Sequence, residues 1–125
     1  MSAESDLYDA LRNASGVTAI VGSGSSARIY PDVVPQEGAM PCVAYGRTDT
    51  EYATTVHNGA PVAERPSLEA WCMAATRIAA DALAAQVIAA AGAAGFLLTD
   101  RAAIEPNEEQ RILATVLTFS RWYPT

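Results

Sequence analysis

The sequence predicts an α+β fold, in which an antiparallel sheet of four to five strands carries two helices on one face and a long hairpin tip. Two stretches, 5–14 and 74–91, have the spacing or composition of helices, and four others alternate side chains with the period of a strand. An Asn-Gly pair among prolines is a strong turn signal. Because 125 residues is the usual length of one domain, we predict a single domain over 1–125.

The first helix is predicted over 5–14, with Ser5 as its N-cap, because a serine side chain accepts a hydrogen bond from the free N–H groups at a helix start. The apolar residues of its buried face recur at helical spacing: Leu7, Ala10, Leu11 and Ala14. The apolar stretch 17–21 is too short to assign to helix or strand. A glycine- and serine-rich loop is expected over 22–26, and the β-prone residues 28–30 are closed by Pro31.

A hairpin follows, with strands over 42–52 and 67–72 and a long exposed tip over 53–66, where Asn58 and Gly59 mark the turn. The next stretch, 74–91, is rich in alanine and lacks proline and glycine, so it predicts the second helix.

Two more strands are expected over 96–104 and 111–122. The last of them is apolar on both faces. Such a strand must be covered on both sides, either by a helix or by another chain. We therefore expect helices on one face of the sheet and a neighbouring subunit on part of the other.

The charge balance argues against nucleic-acid binding. The formal net charge is −6, and all eight positive charges are arginine. Binding to phosphates without sequence preference needs dense stripes of lysine and arginine. The uncharged stretch 82–98 approaches the length of a membrane span, but it is mostly alanine and includes two glycines, so we predict that it crosses no membrane. The acidic residues at 4, 6 and 9 predict no secretory signal.

No residues have the spacing of a catalytic, metal or cofactor site. Cys42 and Cys72 form no CxxC motif, which predicts two small buried thiols and leaves open whether they lie close in space. His57 falls in the hairpin tip, away from a partner that could orient it as a general base. The glycines at 22 and 24 lack the lysine of a phosphate-binding loop. We predict a protein that is not an enzyme and uses no cofactor.

Short motifs stand at the junctions between these elements. They are RIYPDVVPQ at 28–36, MPCVAY at 40–45, LEAWCMA at 68–74, the Glu-Pro pair at 105–106 and the alternating strand over 111–122. In this order they resemble the motifs of the tail-completion, or tail-terminator, family of long-tailed bacteriophages and related prophage-like particles or gene transfer agents.

The resemblance implies a structural subunit of the virion that forms a ring, commonly hexameric, at the head-proximal end of the tail tube. There it ends tube polymerisation and joins the tail to the head. The implied partners are further copies of the chain, the major tail tube protein and the head–tail connector protein, with DNA only as passing cargo. The implied location is the tail neck of the virion, after assembly in the host cytoplasm.

We expect the hairpin tip and the final strand to form the ring contacts. The residues that we assign to these contacts are Tyr52, His57, Asn58, Arg111, Arg121 and Trp122. Two alternatives within the same kind of particle stay open: a head–tail connector, or stopper, and a tail-assembly chaperone or binding module that grips a peptide. A small enzyme acting through His57 or the carboxylates is the alternative from a different class.

Overall fold

The computed structural model describes residues 2–24, 27–32, 40–54, 59, 61–107 and 112–124. These residues form three helices and one sheet of six strands, and they confirm the predicted α+β class. The helices are α1 (Ala3–Arg12), α2 (Ser15–Val21) and α3 (Arg77–Ala93). The strands are β1 (Ile29–Pro31), β2 (Cys42–Thr54), β3 (Pro61–Ala74), β4 (Leu97–Asn107), β5 (Ile112–Ser120) and β6 (Tyr123–Pro124).

The sheet has the order β1-β2-β3-β5-β4, and β6 pairs with β3 just beyond the end of β5. The prediction of a purely antiparallel sheet of four to five strands was wrong in detail, because β1 pairs with β2 in parallel, with Ile29 opposite Val43. Three residues are too few to show a strand period. The pairing is held by backbone hydrogen bonds, in which Val43 N–H donates to the Arg28 carbonyl at 2.9 Å and Asp32 N–H to the Tyr45 carbonyl at 2.7 Å.

The helix starts differ from those predicted because of their caps. Ser2, not Ser5, is the N-cap of α1, and the two serines exchange side-chain-to-backbone hydrogen bonds in a capping box. Thr76 caps α3 by accepting a hydrogen bond from Ala79 N–H at 3.1 Å, so the helix starts after 74. The unassigned stretch 17–21 belongs to α2, a third helix whose Val17 is fully buried.

All three helices lie on one face of the sheet, where two were predicted. The core between them is apolar and fully closed to solvent. Its largest members come from the helices and the central strands: Leu7, Leu11, Val17, Leu83, Val87, Val43, Leu68, Leu117 and Phe119.

The opposite face of the sheet, called the outer face below, carries a second apolar cluster. Its buried members are Cys42, Ala44, Met73 and Ala114, and the partly buried Trp71 and Ile104 pack against them. β5 therefore is apolar on both sides, as its sequence indicates. The two cysteines stand on adjacent strands but opposite faces, since Cys42 pairs with Met73 and Cys72 with Val43. Their side chains point apart, which excludes a disulfide without movement of the backbone.

Candidate assembly surfaces

The distal half of the β2–β3 hairpin extends the sheet as an exposed arm, which consists of residues 48–54, 61–66 and 122–124. The strands are longer, and the tip shorter, than predicted, because both prolines of the predicted tip fit the ladder. Pro61 is the first residue of its strand. Pro66 lies opposite the gap between β5 and β6, where a missing N–H interrupts no pairing.

On the outer side of the arm, Trp122 presents a large apolar surface. Its side chain is 48% exposed, and the guanidinium carbon of Arg65 lies 5.3 Å from the ring centroid. Arg65 is oriented from the other side by an ion pair with Glu51, its neighbour across the hairpin. The stacked guanidinium holds the indole in place, so this predicted site residue is exposed and ordered at once.

The side of the arm that faces the helix layer carries a second apolar surface. Tyr52 is 55% exposed and Val62 51%. Tyr52 pairs with Glu64, which also pairs with Tyr123, and Tyr123 donates a hydrogen bond to Asp6 of α1, so Tyr52 emerges on the helix side. Val62 lies close by, at the register shift next to Ala63. The arm thus carries different apolar groups on its two sides.

Arg121 occupies a different environment from its neighbour Trp122. Its guanidinium lies 3.6 Å from Asp6 of α1, and its central carbon lies 4.9 Å from the ring centroid of Tyr123. Tyr123 donates a hydrogen bond to Asp6 at 2.8 Å. Burial, together with this hydrogen bond, raises the pKa of Tyr123 to about 12. The cluster fastens the end of the chain to α1, and the other predicted site residues, His57, Asn58 and Arg111, lie outside the described residues.

β4 is an edge strand that the sequence analysis did not single out as a surface. Within the described part of the chain it pairs only with β5, and it exposes most of its side chains, Leu97 among them. β5 lies between β3 and β4, so both of its backbone edges are paired. An unpaired strand edge is a ready template for another chain. The order of the strands decides which strand has an unpaired edge, and that order cannot be seen in the sequence.

Among the described residues, exposed side chains that could bind a partner are easier to identify than groups that could catalyse a reaction. Burial raises the pKa of Cys42 to about 11 and that of Cys72 to about 12, so both thiols are protonated at neutral pH. No group of three or more His, Cys, Asp and Glu side chains in the described ranges could hold a metal ion. None of the helices described is long and apolar enough to cross a membrane.

Residues 5–122 match the family described as tail completion protein gp17. The chain belongs to this family. A chain in the structure titled virion of native gene transfer agent (GTA) particle is similar to this tail completion protein, with 15% identity, a TM-score of 0.56, and coverage of 99% of this chain and 96% of the other. That likeness shows a shared fold. No curated protein matches the sequence.

Family membership confirms the resemblance seen in the motifs. It makes the chain a structural protein of phage tail assembly, and the predicted location in the tail-neck region of the virion fits that class. Assembly with other tail and head proteins follows from the same class. Tyr52 and Trp122 are the two predicted site residues that the structure places on the arm.

Proposed function

We propose that this tail completion protein acts by binding and not by catalysis, as a ring of copies at the head-proximal end of the tail tube. The ring, with six subunits in our proposal, ends tube polymerisation and joins the tail to the head connector. The observation that supports this proposal is the arm, which exposes Trp122 on one side and Tyr52 on the other, with Val62 exposed near its tip.

Two different apolar surfaces on one arm suit a closed ring. In a ring each subunit contacts its two neighbours through different patches, because the interface is heterologous. An arm laid between two neighbours would bury a different side against each. Exposed aromatic side chains are also the groups that most often dominate the binding energy of an interface. The partly exposed Trp122, already oriented by Arg65, would lose little conformational entropy on binding.

The charge of the subunit fits a conduit for DNA. A net charge of −6 disfavours adhesion to phosphates, so DNA would pass the ring without being retained. The proposed protein partners are the major tail tube protein and the head–tail connector protein.

A solution measurement with a capping assay tests the proposal. Light scattering after size exclusion gives the subunit number, and electron microscopy of polymerising tail tubes shows whether the chain ends their growth. We expect a ring for the wild type, and loss of ring and capping together for a variant with both Tyr52→Ser and Val62→Ser.

Ile78→Ser is the matched control, because Ile78 is 84% exposed but lies on α3, away from the arm. It should assemble and cap as the wild type does. A wild-type chain that stays monomeric and does not cap tubes would refute the terminator. If the chain instead binds the connector alone, it is a stopper, and if it is absent from purified particles, it is an assembly chaperone.

A further inference from the structure

The outer face is divided into an apolar row and an acidic row that cross the sheet side by side. The apolar row runs through Ala44, Trp71, Val116 and Ala102, which are paired in register across four strands. Two residues further along each strand, the acidic row runs through Gly46, Glu69, Thr118 and Asp100. The sheet thus offers an apolar surface with a negatively charged border.

A groove of about 410 Å³ lies where these rows meet β2 and β3. Its apolar lining comes from Ala44, Trp71 and Met73, and its acidic lining from Asp32 and Glu69. Trp71 is only partly buried, so part of its indole surface faces the groove. The volume falls within the range of about 300 to 1,000 Å³ that is usual for ligand pockets.

The fold places Asp32 and Glu69 at positions on either side of one glycine, Gly46. Asp32 has a left-handed backbone conformation, with φ of 59°, directly after β1. A side-chain carbon built on Gly46 would lie 2.6 Å from Oδ1 of Asp32, so the carboxylate occupies the space that a side chain there would take. Gly46 pairs with Glu69, and paired positions place their Cβ atoms about 4.5 to 5.5 Å apart. Asp32 and Glu69 therefore carry like charges on neighbouring positions of one face.

The described part of the chain supplies no cation to separate these charges. Arg47 also lines the groove, but it donates to Glu4 of α1 at 2.6 Å and to Thr50 at 3.2 Å. Neither Asp32 nor Glu69 has an ion pair among the described residues. Like charges held close together without a counterion repel, and a bound cation would relieve that repulsion.

We propose that this groove binds an arginine side chain from an apolar, basic segment of a different protein. The guanidinium would stack on the indole of Trp71, the aromatic ring that attracts cations most strongly. Its edge would donate hydrogen bonds to Asp32 and Glu69, and arginine matches carboxylates with a planar, bidentate fork. Apolar neighbours of the arginine would lie on Ala44 and Met73.

A second copy of this chain fits the groove poorly. Every described arginine is already engaged within its own chain: Arg12 with Asp9, Arg28 with Pro41 and Ile20, Arg47 with Glu4, Arg65 with Glu51, Arg77 with Ala114 and Ile104, Arg101 with Asp81, and Arg121 with Asp6. A basic partner would bring an arginine that is not already engaged.

The fluorescence of Trp71 tests the proposal directly. The chain has two tryptophans, so Trp122→Phe leaves Trp71 as the single reporter. The probe is a blocked peptide of alternating valine and arginine, and the control peptide carries citrulline, the neutral isostere of arginine, in its place. We expect saturable binding of the arginine peptide that weakens with salt, and no binding of the citrulline peptide.

Three variants in the same background locate the site. Asp32→Asn and Glu69→Gln should each weaken binding about 10-fold or more, because each removes a charge-assisted hydrogen bond. Gly46→Ala should do the same by displacing the Asp32 carboxylate. Gly92→Ala is the matched control, since a side chain there meets nothing within 4 Å, and its binding should equal that of the parent.

Equal binding of both peptides, or unchanged binding by all three groove variants, would overturn the proposal. Self-association of the chain that displaces the peptide would also overturn it, because the occupant would then be a second copy. The two peptide outcomes do not depend on ring formation, and a ring whose contacts leave the groove free does not displace the peptide, so the groove proposal and the ring proposal can fail separately.

Discussion

Replacing Trp122 with alanine tests the ring contact at its largest exposed aromatic group. A tryptophan buries about 150 to 250 Å² when fully covered, so a side chain that is 48% exposed has about 100 Å² left for a partner to cover. At about 25 cal/mol per Å², this area is worth about 2.5 kcal/mol in each subunit contact. The dissociation constant of a contact should therefore rise about 70-fold, as measured by analytical ultracentrifugation over a range of concentrations.

The variant must be separated from a simple loss of stability. Trp122→Ala also removes the stack with Arg65, which at an exposed site contributes about 0.5 to 1 kcal/mol. Two controls address this. Val87→Ala, on the buried face of α3, lowers the stability of the fold without changing the arm. Ile78→Ala removes an exposed apolar side chain that lies on α3 and not on the arm. Both should associate as the wild type does, and wild-type association of a folded Trp122→Ala chain would refute the reasoning.

Three further predictions concern the stability of the fold. Tyr123→Phe should lower the free energy of unfolding at pH 7 by about 1 kcal/mol in urea denaturation, because it removes the hydrogen bond to Asp6. The folded state raises the pKa of Tyr123 from 10.0 to about 12. Its contribution to stability is therefore fully present below pH 10 and is lost as the pH rises through 12. The free energy of unfolding of the variant should fall less steeply over this pH range than that of the wild type. Thr76→Ala should lower the free energy of unfolding by about 1 kcal/mol, because it removes the cap of α3, whereas Thr76→Ser should keep most of the stability that the cap provides. Equal stability of the wild type and both variants in thermal unfolding would contradict this. Cys42 and Cys72 should form no disulfide within a chain under oxidising conditions, and both should react with a thiol reagent far faster in denaturant than in the native state, which mass spectrometry can measure.

The sequence predicts those parts of the fold that depend on local periodicity. The spacing of Leu7 and Leu11 identifies α1, and the alanine-rich stretch identifies α3, because each pattern lies within a few helical turns. The parallel pairing of β1 with β2 could not be predicted, since three residues carry no period that could identify a strand or its partner. The cap at Ser2 competes with Ser5 on nearly equal terms, and the reciprocal capping box decides between them.

Of the candidate surfaces, the contact at Trp122 could be predicted from the sequence and the groove could not. Trp122 is predicted as a contact because it belongs to the final strand, which is apolar on both faces, and the structure exposes it on the arm. The groove has no such signal. Asp32 and Glu69 are 37 positions apart, and only the β1–β2–β3 order places them on neighbouring positions of the outer face.

One residue in the hairpin determines how many surfaces the arm offers. Between Arg47 and Asp49 the register shifts, so Thr48 has no paired residue in the ladder and forms a bulge at the base of the arm, where its hydroxyl donates to the Ser67 carbonyl at 3.3 Å. Because side chains alternate along a strand, this extra residue puts each side chain after it on the opposite face from the one that a regular ladder, with every residue paired, would give. If Thr48 were paired in a regular ladder, Tyr52 would stand opposite Ala63 and emerge on the same side as Trp122, and the arm would have one apolar side instead of two. A subunit with one such patch favours a two-fold symmetric dimer, whereas a subunit with two unlike patches can form a closed ring with a larger number of copies. The symmetry open to the proposed ring therefore depends on this one register shift in the hairpin.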